Sequence, residues 1–231
     1  MKNSIKLSIA MATFNEEKAV GVVLKEVKKF ASDYDSEIVI VDSSTDKTPE
    51  IAESIGAKVY KQEQQGHGIA LREAISKTSG DIILTADCDG TESLDVIPDL
   101  INLINDGYDI ISCCRMNKYL KDSMPPINKF GNWMFALIVR IFFGIKTRDV
   151  TTGMFCMKRK VFDSIRWENN HTFPSEVIIK TNLNGFKYKE YNIRYKKRLG
   201  DSKLNKWRSG KAYIKCFLKY KFNINFNSKY L

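Results

Sequence analysis

The stretch LTADCDGTES, residues 84–93, decides the fold prediction. It places two aspartates, Asp87 and Asp89, one residue apart directly behind the apolar run DIILTA. Two carboxylates at this spacing can both reach into a cleft where a strand breaks into a loop, and α/β sheets bind ligands beyond the carboxyl ends of their strands. An acid-rich turn is the structural alternative. The continuous apolar strand in front favours a functional site.

Strand and helix patterns alternate on both sides of this stretch. The segments KLSIAMA, EIVIVD, AKVYK and YDIISCC predict further strands, with amphipathic helices between them. Asn15 is a predicted N-cap of the first helix, and Thr48 and Gly56 bracket the second. Repeated β-α units predict an α/β fold, a mostly parallel sheet with helices on both faces.

The second half of the chain is less regular. We predict an apolar helix over residues 128–144, a short strand GMFCMK, a helix from about Ser175 to Asn184 and a strand YKEYNIRYK. A basic helix starts at Trp207. The predicted organisation is one catalytic domain, residues 1–206, and a short basic helical C-terminal extension, residues 207–231.

Charge is concentrated at the end of this 231-residue chain. The formal net charge is +10, and residues 187–231 contain 14 Lys and Arg against two acids, so the first 186 residues are nearly neutral. Such a basic segment suits nucleic acid, anionic lipid or phosphorylated substrates. No nucleic-acid-binding motif accompanies it, which favours a membrane surface and predicts no nucleic-acid partner.

Cysteine, histidine and hydropathy patterns exclude several classes of site. Five cysteines without C-x-x-C spacing predict a reducing compartment and no zinc cluster. Two histidines make a histidine-based triad improbable. The N-terminus does not resemble a signal peptide. The longest apolar run, WMFALIVRIFFGI, has 13 residues including Arg140, too short for a membrane span.

Three loops contain candidate binding groups. Asp42 and Glu16 could accept hydrogen bonds from a nucleobase or ribose, although such a loop taken alone more often has a structural role, with Asp42 as a turn former. Gly66 and Gly68 precede a helix and could let the backbone approach a phosphate or sugar. Asp87 and Asp89 could hold Mg²⁺ or Mn²⁺ on a diphosphate, because such a cation needs only one or two protein carboxylates.

One resemblance covers only ten residues. IILTADCDGT resembles the first motif of haloacid-dehalogenase-type phosphatases, which would make Asp87 a nucleophile and Asp89 an acid/base. That family begins its fold with this strand, whereas three β-α units precede it here. No later acidic pair closes an apolar strand either, so this reading remains a remote alternative.

Five motifs in order resemble family 2 glycosyltransferases with the GT-A fold, over roughly residues 5–210. MATFNEE is similar to I-P-T-Y-N-E, and IVIVDSSTDKTPEIA is similar to V-V-D-D-G-S-T-D-G-T. QGHGIALREAISKTSGDIILTADCDG resembles K-G-x-G-x-A-L-R…D-A-D. TTGMFCMKRKVFDSI resembles D-x-x-S-G-F-x-x-x-x-R, and the segment from Phe173 to Leu204 resembles F-x-x-E…Y-x-x-R-x-G-x-S-K. The last two are typical of dolichyl- and polyprenyl-phosphate sugar synthases.

The resemblance implies a role for each matching residue. Asp42 would recognise the base of a GDP- or UDP-hexose. Asp87 and Asp89 would face the diphosphate and its Mg²⁺ or Mn²⁺, with Asp89 the more direct ligand. The remaining implied nucleotide-sugar contacts are Ala12, Thr13, Phe14, Glu16, Gly68 and Cys88. The implied acceptor-phosphate contacts are Arg115, Lys129, Arg198, Ser202 and Lys203.

Glu176 matches the glutamate of F-x-x-E. We interpret it as a catalytic-site residue that positions the acceptor, and an ordinary first-turn helix acid is the alternative. If the acceptor were a sugar hydroxyl, Glu176 would have to serve as the base.

The resemblance therefore implies an inverting, metal-dependent transferase that moves a hexose, mannose or glucose, from a nucleotide sugar to polyprenyl or dolichyl phosphate. We expect it to be peripheral at the cytoplasmic face of a membrane, with or without a separate membrane subunit. The apolar helix and the basic extension would contact lipid. Transfer to a sugar hydroxyl in a glycan is the nearest alternative.

Overall fold

The computed structural model describes residues 5–117, 124–200 and 206–223, and the side chains of residues 206–208 are not described. Strands and helices alternate along the chain. The strands are β1 (Lys6–Thr13), β2 (Asp35–Asp42), β3 (Lys58–Lys61), β4 (Ile82–Thr85), β5 (Ile110–Cys114), β6 (Phe155–Lys158) and β7 (Tyr188–Asn192). The helices are α1 (Val20–Phe30), α2 (Thr48–Ser54), α3 (His67–Ser76), α4 (Ile97–Asn105), α5 (Pro126–Phe143), α6 (Arg159–Asp163), α7 (Phe173–Leu183) and α8 (Lys206–Phe222).

Within the described ranges, seven strands form one sheet in the order β3-β2-β1-β4-β6-β5-β7. The pairs β1–β2, β2–β3, β1–β4 and β5–β7 are parallel. The strand β6 lies antiparallel between β4 and β5. The mostly parallel α/β sheet expected from the sequence is confirmed. The antiparallel position of β6 between β4 and β5 was not predicted.

Two apolar layers cover the sheet because successive strand residues point to opposite faces. In β4, Ile82 and Leu84 join the layer of α1, α2 and α4, whereas Ile83 joins the layer of α3, α5, α7 and α8. The helix α8 contributes Tyr213 and Phe217 to the second layer. It begins at Lys206, one residue before the expected extension.

One expected helix start is wrong. Asn15 has a positive φ of 54° and lies four residues before Ala19, which occupies the N-cap position of α1 without a side-chain capping bond. Its side-chain oxygen instead accepts a hydrogen bond from Thr45 N–H at 2.8 Å. The side chain of Asn15 therefore joins two loops at the sheet rim rather than capping a helix.

Candidate active site

The carboxyl ends of three parallel strands meet at one rim of the sheet. Thr13, the last residue of β1, lies in register with Asp42, the last residue of β2. The strand β4 pairs with the other edge of β1 and leads directly into Asp87 and Asp89. The expected convergence of Thr13, Asp42 and Asp87 at one rim is thus present in the fold.

The two aspartates of the loop after β4 have different environments. Asp89 is buried, and its Oδ1 accepts hydrogen bonds from Thr91 N–H at 2.9 Å and Thr91 Oγ1 at 2.6 Å. The Asp87 carboxylate is 32% exposed and lies 3.2 Å from His67 Nε2. Burial and the neighbouring Asp87 charge raise the pKa of Asp89. Burial alone would raise the pKa of Asp87, but His67 lowers it on balance.

The side chain of Cys88 points away from the two carboxylates. It is buried, and its Sγ lies 3.2 Å from Met11 Sδ in the apolar layer under α1. The Cys88 side chain therefore belongs to the core, and its expected contact with the nucleotide sugar stays a prediction for its backbone.

Glu92 is a third carboxyl group at this loop, it is buried like Asp89, and it was not predicted from the sequence. Its Oε2 accepts a hydrogen bond from Asp87 N–H at 2.9 Å. Its Oε1 has no hydrogen-bond partner among the described residues. Burial, with the nearby charge of Asp87, holds the pKa of Glu92 well above its usual range. Glu92 thus fixes the backbone from which the Asp87 carboxylate extends.

An extended segment, residues 194–199, runs antiparallel to the loop of residues 89–93. Thr91 O accepts a hydrogen bond from Lys196 N–H at 2.7 Å, and Asp89 O accepts one from Leu199 N–H at 3.1 Å. Glu92 and Tyr195 form an antiparallel bridge next to the contact between Thr91 and Lys196. The two segments therefore behave as one unit, although about a hundred residues separate them.

Arg198 projects from this segment onto the candidate metal ligand. Its Nη1 donates to Asp89 Oδ2 at 2.6 Å, and its Nη2 contacts Glu16 Oε1. A residue expected to bind acceptor phosphate is therefore in contact with two residues expected to serve the donor. The cationic guanidinium lies between two carboxylates, which shows that this position accommodates positive charge.

Arg115 is engaged by a partner that the sequence analysis overlooked. Its Nε and Nη2 donate to the Asp149 carboxylate at 2.8 and 2.9 Å, and Nη2 also donates to Thr151 Oγ1 at 2.7 Å. Asp149 is fully buried, and although burial opposes ionisation, Arg115 lowers its pKa on balance. Asp149 is the aspartate that opens the D-x-x-S-G-F-like motif, a signal that was available in the sequence. The Arg115 guanidinium also lies 5.3 Å from the Tyr195 ring centroid.

Of the other expected acceptor contacts, Lys129 lies within the described residues, whereas Ser202 and Lys203 do not. Lys129 is part of the first half of α5 and is partly exposed. Ser202 and Lys203 lie outside the residues that the structure describes.

The expected nucleoside rim is tightly hydrogen-bonded. The Asp42 carboxylate is almost fully buried and accepts hydrogen bonds from Thr13 Oγ1 at 2.7 Å and from Ser44 Oγ at 2.6 Å. Ala12 packs against the layer of α3, and Phe14 follows β1 at the rim. Glu16 N–H donates to Thr48 Oγ1 at 2.8 Å. Asp42 therefore fixes the hydroxyls of this rim.

The glycines before α3 face protein. The Gly68 N–H donates to Asn170 Oδ1 at 3.1 Å, and a side chain on Gly68 would collide with the Asn170 carbonyl oxygen. The requirement for glycine at this position is therefore explained by Asn170. The N–H that was expected to meet the nucleotide sugar already has this protein acceptor.

Glu176 is fully buried at the start of α7. Its Oε1 accepts hydrogen bonds from Glu168 N–H and Tyr220 Oη, both at 2.9 Å, and its Oε2 accepts one from Asn169 N–H at 2.8 Å. Lys180 Nζ lies 2.8 Å from Oε1. This environment suits a structural anchor and leaves no exposed oxygen to act as a base.

A divalent cation is chemically compatible with the rim. Asp87 and Asp89 offer the hard oxygen ligands that Mg²⁺ and Mn²⁺ prefer, and phosphate oxygens can complete such a site. The positive charge of the Arg198 guanidinium is balanced by the Asp89 carboxylate, so a cation can be accommodated at this position. Across the residues that the structure describes, no three His, Cys, Asp or Glu side chains form a ready-made metal-binding group. Two carboxylates plus a diphosphate is the arrangement that fits.

Comparisons with known proteins agree with this geometry. Residues 8–166 match the model of the Glycosyl transferase family 2. The chain is 37% identical over 213 residues to a dolichyl-phosphate hexose transferase of Haloferax volcanii, covering 92% of each chain. It is 26% identical over 178 residues to a dolichol-phosphate mannosyltransferase of Pyrococcus furiosus, covering 70% of this chain and 48% of the relative.

The fold also matches solved structures. Glucosyl-3-phosphoglycerate synthase from Mycobacterium tuberculosis, in complex with Mn²⁺, uridine diphosphate and phosphoglyceric acid, superposes with a TM-score of 0.77 at 17% identity. The match covers 98% of this chain and 81% of that one. It confirms the GT-A fold expected from the sequence. Within the described ranges, no helix combines the length and apolar character that crossing a bilayer requires.

Proposed function

This chain belongs to glycosyltransferase family 2 and is a hexosyltransferase, and we propose that it transfers a hexose from a nucleotide sugar to a dolichyl or other polyprenyl phosphate. The observation that carries this proposal is the contact of Arg198 with Asp89 at 2.6 Å. It brings an arginine of the acceptor-like segment into contact with a carboxylate of the donor-like loop. A phosphate held by Arg198 would therefore lie beside the donor diphosphate.

The donor would occupy the rim formed by β1, β2 and β4. The nucleoside of a GDP- or UDP-hexose would lie against Thr13, Phe14, Glu16 and Asp42, where hydroxyl and carboxylate groups cluster. The diphosphate would extend toward Asp87 and Asp89. A bound Mg²⁺ or Mn²⁺, held by Asp87 and Asp89, would neutralise charge on the departing nucleoside diphosphate.

The acceptor phosphate would be held by arginines. Arg198 and Arg115 present guanidinium groups near the same loop, and arginine can grip phosphate through two parallel hydrogen bonds. Asp149 fixes Arg115 from behind through Nε and Nη2. Lys129, Ser202 and Lys203 remain proposed additional contacts.

The transfer step then needs no strong base. An ionised oxygen of the acceptor phosphate forms a bond to the anomeric carbon from the face opposite the leaving group. The bond between that carbon and the β-phosphate oxygen breaks, and its electron pair leaves with the nucleoside diphosphate. The configuration at the anomeric carbon is inverted. The engaged state of Glu176 fits this base-free chemistry better than transfer to a sugar hydroxyl.

The outer face of α5 suits a membrane surface. Four large apolar side chains on this helix are between 51% and 69% exposed: Ile127, Phe130, Trp133 and Ile141. The helix contains no acidic residue, and the adjacent α8 is rich in lysine. A lipid-phosphate acceptor has to be met at a bilayer, and an apolar face flanked by basic groups binds anionic interfaces. We place the enzyme at the cytoplasmic face of a membrane as a peripheral protein.

A transfer assay tests the proposal directly. Labelled GDP- and UDP-hexoses would be incubated with the purified protein, a short polyprenyl phosphate and Mn²⁺ or Mg²⁺. We expect label in the lipid fraction with one donor, and none without the metal. Transfer to a neutral sugar in place of the lipid phosphate would overturn the acceptor assignment. Failure of every nucleotide to bind would overturn the donor assignment.

A further inference from the structure

The loop that leads into α3 is clamped by one side chain from a distant part of the chain. Asn170 Oδ1 accepts hydrogen bonds from Gly68 N–H at 3.1 Å and Ile69 N–H at 3.3 Å. Asn170 Nδ2 donates to Gln65 O at 2.7 Å. Both ends of the loop of residues 65–69, which includes the first residues of α3, are thus attached to the same amide group.

The backbone of this loop accommodates the clamp closely. Gly66 adopts a φ of +117°, a conformation that favours glycine, and a side chain there would meet the Asn170 amide. Between the two glycines lies His67, which is 47% exposed and whose Nε2 is 3.2 Å from Asp87 Oδ1. Because the loop is held, the His67 side chain is also held against Asp87, the carboxylate proposed to face the donor.

Asn170 is in turn fixed by Glu176. The backbone N–H groups of Glu168 and Asn169, the two residues before Asn170, donate to Glu176 Oε1 and Oε2 at 2.9 and 2.8 Å. Glu176 and Asn169 are both buried. A carboxylate with two oriented N–H donors fixes the direction of the peptide that follows.

The helix α8 completes this arrangement from the C-terminal side. Tyr220 Oη donates to Glu176 Oε1 at 2.9 Å, and Asn169 Nδ2 donates to Tyr220 Oη at 3.1 Å. Lys219 Nζ reaches Glu168 Oε2 at 2.8 Å. Hydrogen bonds to Glu176, the short backbone segment from Glu168 to Asn170, and the hydrogen bonds of Asn170 therefore connect α8 to the loop beside Asp87.

We propose that Asn170 and Glu176 are positioning residues for the donor half of the site, holding the loop of residues 65–69 so that His67 stays against Asp87. The inference rests on the proposed function for the identity of the donor. It moves Glu176 from the acceptor side, where the sequence placed it, to the donor side. The tyrosine of α8 makes the C-terminal helix part of the same support.

The test compares Asn170→Ala with Asn184→Ala, an exposed asparagine at the end of α7 whose amide bonds only its own helix in the described structure. Hydrogen exchange of the Gly68 and Ile69 amides is measured without any ligand. Affinity for GDP or UDP with Mn²⁺ and affinity for polyprenyl phosphate are measured separately. We expect faster exchange and a loss of nucleotide affinity of about tenfold in Asn170→Ala, the size of one or two lost hydrogen bonds. Acceptor affinity should stay unchanged, and Asn184→Ala should match the wild type.

A second, milder variant protects the test from misfolding. Tyr220→Phe keeps the ring and removes only the hydroxyl that bonds Glu176, and we expect the same changes at smaller amplitude. Unchanged exchange at Gly68 and Ile69 in both variants would overturn the positioning role, as would equal losses of donor and acceptor affinity. Failure of the wild type to bind any nucleotide would instead overturn the proposed function, while the exchange data would still decide whether Asn170 and Tyr220 hold the loop.

Discussion

At the rim, Arg198 pairs with two carboxylates and is also the residue proposed to bind the acceptor. Arg198 neutralises Asp89 and Glu16 in this structure, yet the same guanidinium is the group proposed to bind acceptor phosphate. A cation bound to Asp89 would compete with Arg198 for that carboxylate. Donor binding would therefore release Arg198 toward the acceptor.

Asp89→Asn should abolish metal-dependent nucleotide binding. The amide keeps the size of the side chain but removes the charge that a divalent cation requires. Thermal-shift titration with GDP or UDP, with and without Mn²⁺, measures the effect. Asp95→Asn, an exposed aspartate six residues later, is the matched control. A nucleotide response in Asp89→Asn equal to the wild type would contradict the metal assignment.

Arg198→Ala should weaken the binding of the acceptor more than the binding of the donor. We expect the KM for polyprenyl phosphate to rise on the order of 10- to 100-fold, because a charge-assisted hydrogen bond to phosphate is lost. Nucleotide binding with Mn²⁺ should be retained. The neighbouring exposed Lys197→Ala serves as the control. If Lys197→Ala raised the KM for polyprenyl phosphate as much as Arg198→Ala, the loss would reflect the overall positive charge of this segment and not a specific contact of Arg198.

At the scale of elements, hydrogen bonds between strands and loops join the amino ends of the strands, at the edge of the sheet opposite the rim. Glu37 in β2 accepts hydrogen bonds from Ser8 Oγ in β1 at 2.8 Å, from Ser79 N–H at 2.7 Å and from Lys58 Nζ in β3 at 2.8 Å. Burial alone would raise the pKa of Glu37, but these donors lower it to about 2. One carboxylate thus joins three strands and the turn before β4.

Glu37→Gln should reduce the stability of the fold at neutral pH and should make that stability depend less on pH in the acid range. Since the folded-state pKa is lowered from 4.5 to about 2, the ionised group stabilises the fold above about pH 4.5, and this contribution is lost as the pH falls toward 2. The Tm difference between wild type and variant should shrink across that window. Glu63→Gln, at an exposed site, should show no such trend. A constant difference at all pH values would exclude the linkage.

The outer face of α5 gives a second prediction at this scale. The double variant Phe130→Glu/Trp133→Glu should lose most of its binding to vesicles of phosphatidylglycerol, because charge replaces apolar contact with the interface. Co-sedimentation at low salt measures binding. Val22→Glu, on α1 at the opposite face of the sheet and 52% exposed in the wild type, is the control. Equal binding by both variants would contradict the assignment of this face.

At the scale of the whole molecule, α8 packs as part of the catalytic fold. Phe217 is almost fully buried against Phe135 of α5, with ring centroids 5.9 Å apart, and Tyr213 stacks on the same ring at 5.2 Å. The same helix supplies Tyr220 to Glu176. The basic helix therefore connects the proposed lipid-facing surface to the support of the donor loop.

Phe217→Ala should lower the free energy of unfolding by about 3–5 kcal/mol through loss of apolar burial and the cavity left behind. Phe222→Ala, at a site that is 59% exposed on the same helix, should change it by less than about 0.5 kcal/mol. Urea unfolding followed by circular dichroism measures both. Equal effects of the two substitutions would show that α8 is not held by its buried face.

The sequence by itself determined the α/β class, the succession of the first five strands along the chain and the position of Asp87 and Asp89 directly after β4. These features depend on hydrophobic periodicity and turn residues, which are local properties of the chain. The five ordered motifs also led to the family, which the comparisons confirmed. The sequence did not predict that Asn15 leaves α1 uncapped or that Cys88 faces the core, because both depend on how neighbouring loops fold back.

Only the tertiary structure decided which distant groups meet at the site. Arg198 contacts Asp89 across 109 residues, and Asn170 holds Gly68 across 102. The antiparallel insertion of β6 and the burial of Asp149 against Arg115 belong to the same class of contact. Such pairs leave no periodic signal along the chain, because their geometry is set by sheet order and helix packing. Candidate functional residues could be named from the sequence, but their partners could be found only in the fold.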